Sequence, residues 1–262
     1  MSNFDLSEEI RAYWGQRAAT FDLAFGHRIA PGAEARAWAA PMHRLGPAPQ
    51  RVLELACGTG EVTRLLHDLG HEVTALDFCE PMLAVARAKH AGKPRLRFRL
   101  ADAHATMEPA QSHDAILCRH LVWTLTRPAE AFAHWFRVLR PGGRLLIYDG
   151  NWARPDPHGR WAAGLLTLWE RLSPDPTYHG ALGDRHAGIM RRLPFGAGLT
   201  FETLEPMLRS AGFVDLTQIP HEPIAEAQRR SNGLRNRLRT RVYRRFILLA
   251  RKPEAEAPSA AR

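Results

Sequence analysis

From residue 51 onward the chain alternates short β-type runs with stretches of helical periodicity, and few folds accommodate that alternation. When helices separate successive strands, the strands run parallel, because each helix carries the chain back across a face of the sheet. "RVLELA" (51–56) reads as a buried strand, followed by a helix over 61–69 that stops at Gly70. "EVTALD" (72–77) is the second strand, and "PMLAVARAKHA" (81–91) is a helix with proline in its first turn, where the missing N–H costs nothing. "LRFRLAD" (96–102), "HDAILCR" (113–119) and "RLLIYDGNW" (144–152) supply three more strands, with a helix at 128–139 and a turn at Pro141-Gly142-Gly143 before the fifth. A helix over 200–212 opens at Thr200 and ends at Gly212. "FVDLTQI" (213–219) and "RRFILLAR" (244–251) bring the strand count to seven, and these two are expected to pair as an antiparallel edge, joined by a segment of helical charge spacing.

The expected organisation follows from this rhythm. Residues 1–49 form a helical lead-in, 50–152 the first part of the sheet, and 199–253 its C-terminal part. Between them, 153–198 is an insertion rich in proline, glycine and aromatics with a helix at 159–172, and 254–262 is a low-complexity tail expected to be disordered.

The net charge of +9 suggests a polyanion partner until it is located. Residues 229–252 hold ten Arg or Lys and no acid, so the rest of the chain is nearly neutral. Such a segment is either a polyanion-binding strip or a solvated surface; an anionic membrane surface is a further reading, ranked below the solvated one because the strip lacks an obvious wide apolar face. The three cysteines, Cys57, Cys79 and Cys118, are widely spaced and form no Cys-x-x-Cys pair, so neither a disulfide framework nor a zinc site is indicated and a reducing cytoplasm fits. No apolar stretch approaches the roughly 18 residues of a membrane span.

The loop "ACGTGEV" (56–62) joins the first strand to its helix. Glycines there let a ligand approach backbone without a Cβ, beside the unpaired N–H groups of the helix. A P-loop would need lysine and Ser/Thr after its last glycine, whereas Gly60 is followed by Glu61, Val62 and Thr63. The dinucleotide fingerprint would need glycine or alanine where Thr63 stands, and Glu61 would point an anion at the pyrophosphate. Cys57 has no neighbouring base to make it a nucleophile and reads as small packing.

"LELACGTG", then "ALDFCEPML", "LAD" at 100–102 and "RVLRPGGRLLI", in that order and at those intervals, resemble the class I S-adenosylmethionine-dependent methyltransferases over roughly 51–147. The resemblance implies a Rossmann-like α/β fold: a seven-stranded, mostly parallel sheet with helices on both faces, an N-terminal helical lid and an inserted helical cap. It implies S-adenosyl-L-methionine as cofactor, with Glu54, Ala56, Cys57, Gly58 and Gly60 of the loop beside it. Asp77 would accept the ribose hydroxyls, Phe78 and Met82 would wall the adenine, and Asp102 with Ala103 would read its amine. Glu54 either helps hold the ammonium end or fixes the loop, and Arg119 is counted with the cofactor-side residues.

In an open parallel sheet the ligands lie beyond the carboxyl ends of the strands, where strand order reverses. The segments there read Arg119-His120-Leu121-Val122-Trp123 and Asp149-Gly150-Asn151-Trp152. Methyl transfer is an in-line displacement, so alignment and dehydration matter most and a base is optional. If the acceptor must lose a proton, His120 is the candidate base, since an imidazole titrates near working pH; a contact on the adenosine side or a structural role is the other reading.

"RAYWGQRAATFD" (11–22) resembles the lead-in of small-molecule members of the ubiquinone type, which implies that Tyr13 faces the methyl donor; read from spacing alone it is a packing helix. Trp123, Asn151, Trp152, Trp161, Trp169, Tyr178 and His179 are candidates for the wall of a small-molecule acceptor site, although Trp161 and Trp169, a pair at i, i+8, also read as core. A nucleic-acid (RNA) methyltransferase using 229–252 is the alternative, but no Asn/Asp-Pro-Pro-aromatic stretch follows the fourth strand, where the chain reads Cys118-Arg119-His120-Leu121. Aminocarboxypropyl transfer on the same fold, or a non-catalytic cofactor-binding domain, also remains open. The residues do not reveal the acceptor atom.

Overall fold

The computed structural model describes residues 3–175 and 183–255, so Tyr178 and His179 lie outside the described residues. Its strands are β1 (Arg51–Leu55), β2 (Glu72–Asp77), β3 (Leu96–Leu100), β4 (His113–Arg119), β5 (Leu139–Gly150), β6 (Val214–Ile219) and β7 (Arg245–Arg251). They form one sheet in the order β3-β2-β1-β4-β5-β7-β6. The first five are mutually parallel, whereas β7 lies antiparallel to both β5 and β6. Strand order reverses between β1 and β4, which opens the crevice where such sheets bind ligands.

The central strands are apolar nearly throughout because both faces are covered. Leu53, Leu55, Ile116, Cys118, Leu145 and Ile147 share a core with Phe132 and Trp135 of α5 (Pro128–Val138) and with Leu204 and Leu208 of α8 (Phe201–Ser210). α1 (Asn3–Arg17) and α7 (Gly183–Arg192) join that side through Leu6, Ile10, Tyr13 and Ile189. On the other face Val52, Ala75, Ala115, Leu117 and Leu146 pack with Trp38 of α2 (Ala33–Ala39), Leu65 and Leu66 of α3 (Glu61–Asp68), and Ile224 of α9 (Glu222–Ser231). α4 (Glu80–Lys89) covers the β2–β3 end of the sheet. At the start of α8, Thr200 and Thr203 exchange side-chain and backbone hydrogen bonds as a capping box.

Three boundaries differ from the sequence expectation. Pro141-Gly142-Gly143 is no turn between elements: it lies inside β5, where the register jumps from His113↔Leu139 to Ala115↔Arg144 and Gly142 takes φ +74°. A bulge can absorb the extra residues while the strand continues. β5 ends at Gly150 and β3 at Leu100, each two residues early, so Trp152 and Asp102 sit in loops. The charged connection before β7 is two helices, α9 and α10 (Leu234–Val242).

The basic segment is accordingly no continuous strip. α10 packs on α6 (Arg160–Leu172) through Leu238 and Val242 against Ala162 and Leu166, and the buried Arg239 pairs with Glu170 and Asp175 at 2.8 Å each. No helix among the described residues is long and apolar enough to cross a membrane.

Candidate active site

β1 turns into α3 through two glycines in left-handed conformations, Gly58 at φ +55° and Gly60 at φ +83°. A Cβ at Gly60 would meet the His90 ring at 2.8 Å, so this position needs glycine for both its torsion and its space. The loop is anchored on all sides. Asp77, at the end of β2, accepts from the Gly58 N–H at 2.8 Å and the Cys79 N–H at 2.9 Å. Thr59 donates to Asp22 at 2.5 Å, and Glu61 accepts from the Ile29 N–H at 3.0 Å and from Lys89 at 2.6 Å, which ties the lead-in to the loop. The Cys57 thiol is pushed up by burial, as expected of a packing residue.

These elements surround a cavity of about 780 Å³ at the switch point. Its lining includes four acids from the β1–α3 loop region and the ends of β1, β2 and β3, Glu54, Glu61, Asp77 and Asp102, along with Ala56, Cys57, Gly58, Phe78, Met82 and Ala103. Arg119 stands close to Glu61 and Glu54, and His120, Trp123, Trp152, Tyr243 and Arg245 line the cavity as well. Glu54 is 2% exposed and accepts from the Thr63 hydroxyl at 2.6 Å; burial chiefly, and then the nearby Asp77 charge, push its carboxyl up to about 8. Burial likewise raises Asp77 to about 6 against the pull of its backbone donors. Asp102 accepts from the His104 N–H at 2.8 Å and from its ring at 2.7 Å; these contacts outweigh partial burial and hold it below the usual range. Ala103 is fixed through its carbonyl, which accepts from Trp135 Nε1 at 2.8 Å.

Arg119 projects from the end of β4. Its guanidinium donates to the carbonyls of Gly26 and His27 and lies 4.4 Å over the Trp38 ring. Its Nε is buried with no hydrogen-bond partner. A buried guanidinium that meets carbonyls and leaves one donor over offers a place for an anion.

Residues 53–147 match the model of a family described as a methyltransferase domain. The chain is similar to a demethylmenaquinone methyltransferase of Thermus thermophilus, 34% identical over 174 residues, which are 64% of this chain and 76% of that protein. It is also similar to a ubiquinone/menaquinone biosynthesis C-methyltransferase of Erwinia tasmaniensis, 32% identical over 178 residues, 64% of this chain and 68% of that one. The chain belongs to the class I S-adenosylmethionine-dependent methyltransferases. In fold it resembles the 1,6-didemethyltoxoflavin-N1-methyltransferase of Burkholderia thailandensis, with a TM-score of 0.61 at 18% identity over 97% of this chain and 92% of that one. Its cofactor is S-adenosyl-L-methionine and its acceptors are small molecules.

The methyltransferase presents a pre-positioned wall where the loops after β4 and β5 meet at its cavity. Asp149 is 2% exposed and collects four donors: the N–H groups of Val122 (2.9 Å), Trp123 (3.4 Å) and Gly150 (2.9 Å), and Trp152 Nε1 (2.9 Å). It thereby locks the loop after β4 to the loop after β5, though burial still raises it to about 7. His120 takes the left-handed φ of +56°, rare for a residue with a side chain, and its ring meets Trp152 edge to face at 4.9 Å.

Three expectations need correction. Burial, aided by the charges of Arg119 and Arg245, drives His120 well below its ordinary value, so the ring is neutral at working pH and does not titrate there. Tyr13 does not line the cavity; it is 1% exposed in the core, its hydroxyl accepting from Arg17 at 3.2 Å. Leu6, Ile10, Tyr13 and Arg17 fall on the helix stripe that faces inward, and it is the next residue, Trp14, that reaches the cavity with Ser7 and Ile10. Asn151 is likewise absent from the wall: its side chain caps the Ala153 N–H at 3.2 Å and sits against Gly198. Phe21, Phe25, His27, His186, Tyr243 and Arg245 line the cavity and were not singled out. The aromatic content of 11–22 was the signal for Phe21, but Tyr243 and Arg245 read as surface within a basic run.

Proposed function

We propose that this methyltransferase places a methyl group on a ring carbon of a planar, hydroxyl-bearing aromatic acceptor of the quinol class. Asp77 holds the ribose, Phe78 and Met82 wall the adenine, Asp102 and Ala103 read its amine, and Glu54 faces the ammonium. The unpartnered Nε of Arg119 and the left-handed Gly58 fit the amino-acid end of the cofactor: one supplies a donor for a carboxylate, the other supplies backbone without Cβ, whereas Gly60, expected beside the cofactor, lies outside the cavity lining and turns its Cβ-free side to His90. When bound, S-adenosylmethionine supplies an electrophilic methyl group on a sulfonium.

The observation that carries the acceptor reading is the neutral His120 ring beside Trp152, under the charges of Arg119 and Arg245. A neutral imidazole can accept a hydrogen bond from a ring hydroxyl, and the two guanidinium charges favour the oxyanion that makes the ortho carbon nucleophilic. Trp14, Trp123, Trp152 and Tyr243 offer aromatic faces to a flat ring. The names of the relatives from Thermus and Erwinia, which refer to menaquinone and ubiquinone, support the same class. The lead-in and α6, which contribute Ser7, Trp14, Phe21 and Leu166 to the lining, act as the cover that excludes water.

The test is transfer of labelled methyl to a panel of reduced naphthoquinols, catechols and aliphatic carboxylates. Labelled product from the ring-hydroxylated members, bearing the methyl on carbon by NMR, is the expected result. Turnover of the aliphatic acids alone would overturn the reading.

A further inference from the structure

α6 carries two apolar faces and buries only one. Ala162 and Leu166 pack on α10. Trp161, Leu165, Leu168 and Leu172 recur at intervals of four, three and four residues and so share another side of the helix. They are exposed by 53, 50, 55 and 78% respectively, and nothing among the described residues covers them. A contiguous row of this size on a soluble surface marks a contact with something apolar.

The rim of that row is basic. Arg241 of α10 lies 5.9 Å from the centre of the Trp161 ring, and Arg235 lies 5.0 Å from that of Trp169 and donates to the Ser173 carbonyl. α10 therefore runs antiparallel to α6 and sets an arginine near each end of it. Arg160, Arg171 and Arg237 are exposed as well, and so is Leu234, at 62%. Among the described residues the acids of the neighbourhood are engaged: Glu170 and Asp175 pair with Arg239, and Asp156 accepts from the His158 N–H.

An apolar row edged with arginines and a tryptophan matches an anionic bilayer surface, with leucines below the headgroups, the indole at the boundary and guanidinium groups at the phosphates. A polyanion such as RNA would satisfy the arginines and leave the leucines in water. A second copy would satisfy the leucines but set like-charged rims against each other. The same two helices also wall the acceptor end of the cavity, through Leu166, Thr167, Val242 and Tyr243. We propose that α6 and α10 form an interfacial docking face for an anionic lipid membrane, holding the mouth of the cavity at the surface from which an apolar acceptor is drawn.

The experiment is co-sedimentation of the full chain with vesicles of phosphatidylcholine, alone or mixed with phosphatidylglycerol, at low and high salt. The wild type should pellet with the mixed vesicles, less so at high salt, and Trp161 should contribute a blue shift in fluorescence that Trp161→Phe abolishes. Leu165→Gln with Leu168→Gln should lower partitioning about tenfold or more, and Arg237→Gln with Arg241→Gln should lower it on the anionic vesicles only. None of these side chains lines the cavity, so S-adenosylhomocysteine affinity should stay at wild type, which reports folding independently of any acceptor. Equal partitioning of the leucine variant and the wild type overturns the proposal. So does a leucine variant that changes the sedimentation mass while no form binds vesicles, the signature of a homodimer face, and so does salt-sensitive RNA binding without vesicle binding.

Discussion

Replacing Glu54 by glutamine should stabilise the ligand-free chain, and increasingly so as pH rises. Glu54 is buried and its carboxyl is raised from 4.5 to about 8, so the folded state holds this proton more tightly than the unfolded state does. That advantage is fully present below the unfolded value and is lost as pH climbs through the folded one. A carboxyl raised that far corresponds to about 5 kcal/mol across the window. Between pH 5 and pH 7 the wild type should lose about 2–3 kcal/mol that the variant keeps. Glutamine retains an oxygen to accept from the Thr63 hydroxyl, so packing changes little. Asp77 and Asp149, raised to about 6 and about 7, add the same kind of dependence to both proteins and largely cancel in the difference. Urea unfolding of the two proteins at several pH values measures the effect. Calorimetry with S-adenosylhomocysteine adds a second readout: the wild type should release protons on binding near pH 7, as the ligand's ammonium draws Glu54 into its charged form, and the variant should release fewer and bind more weakly. Parallel stability curves together with equal proton release would refute the reasoning.

Gly60→Ala should cost about 1–3 kcal/mol in thermal or urea unfolding, because alanine resists φ +83° and its Cβ would press on the His90 ring at 2.8 Å. Asp77→Ala should weaken S-adenosylhomocysteine by about one to two orders of magnitude by calorimetry, through lost ribose contacts and the freed Gly58 N–H. His120→Ala should lower kcat by about 10²–10⁴ with cofactor affinity unchanged. In the wild type no rise in kcat/KM between pH 6 and pH 8 should trace to this imidazole, since it is neutral throughout that range.

The sheet was legible because its strands are buried on both faces, so each appears as an apolar run whose length and bounding residues are visible without tertiary information. The residues that the resemblance assigns to the cofactor, Gly60 excepted, fall on one cavity for a related reason: most of them cluster on one loop and on the ends of β1 and β2, close in sequence as well as in space. The acceptor end was not. Trp14 and Tyr13 are adjacent on α1, and periodicity does not say which of them a helix turns toward a cavity. Arg239 looked like one of many surface charges until Glu170 and Asp175, more than sixty residues earlier, were found to bury it. Asp149 falls in the sequence within the segment expected near the ligands, whereas its role in joining two loops depends on the β4–β5 register. His120 stands out by its position, but its protonation depends first on burial and then on arginines from β4 and β7, which come together only in the folded chain.

The most direct test of the account is methyl transfer from labelled S-adenosylmethionine to a reduced demethylated naphthoquinol, with an unstructured RNA as competitor in the same tube. The account predicts label in the organic extract, on a ring carbon, abolished by Asp77→Ala and sharply reduced by His120→Ala. Label in the RNA, or none in the quinol while S-adenosylhomocysteine binds normally, would contradict it.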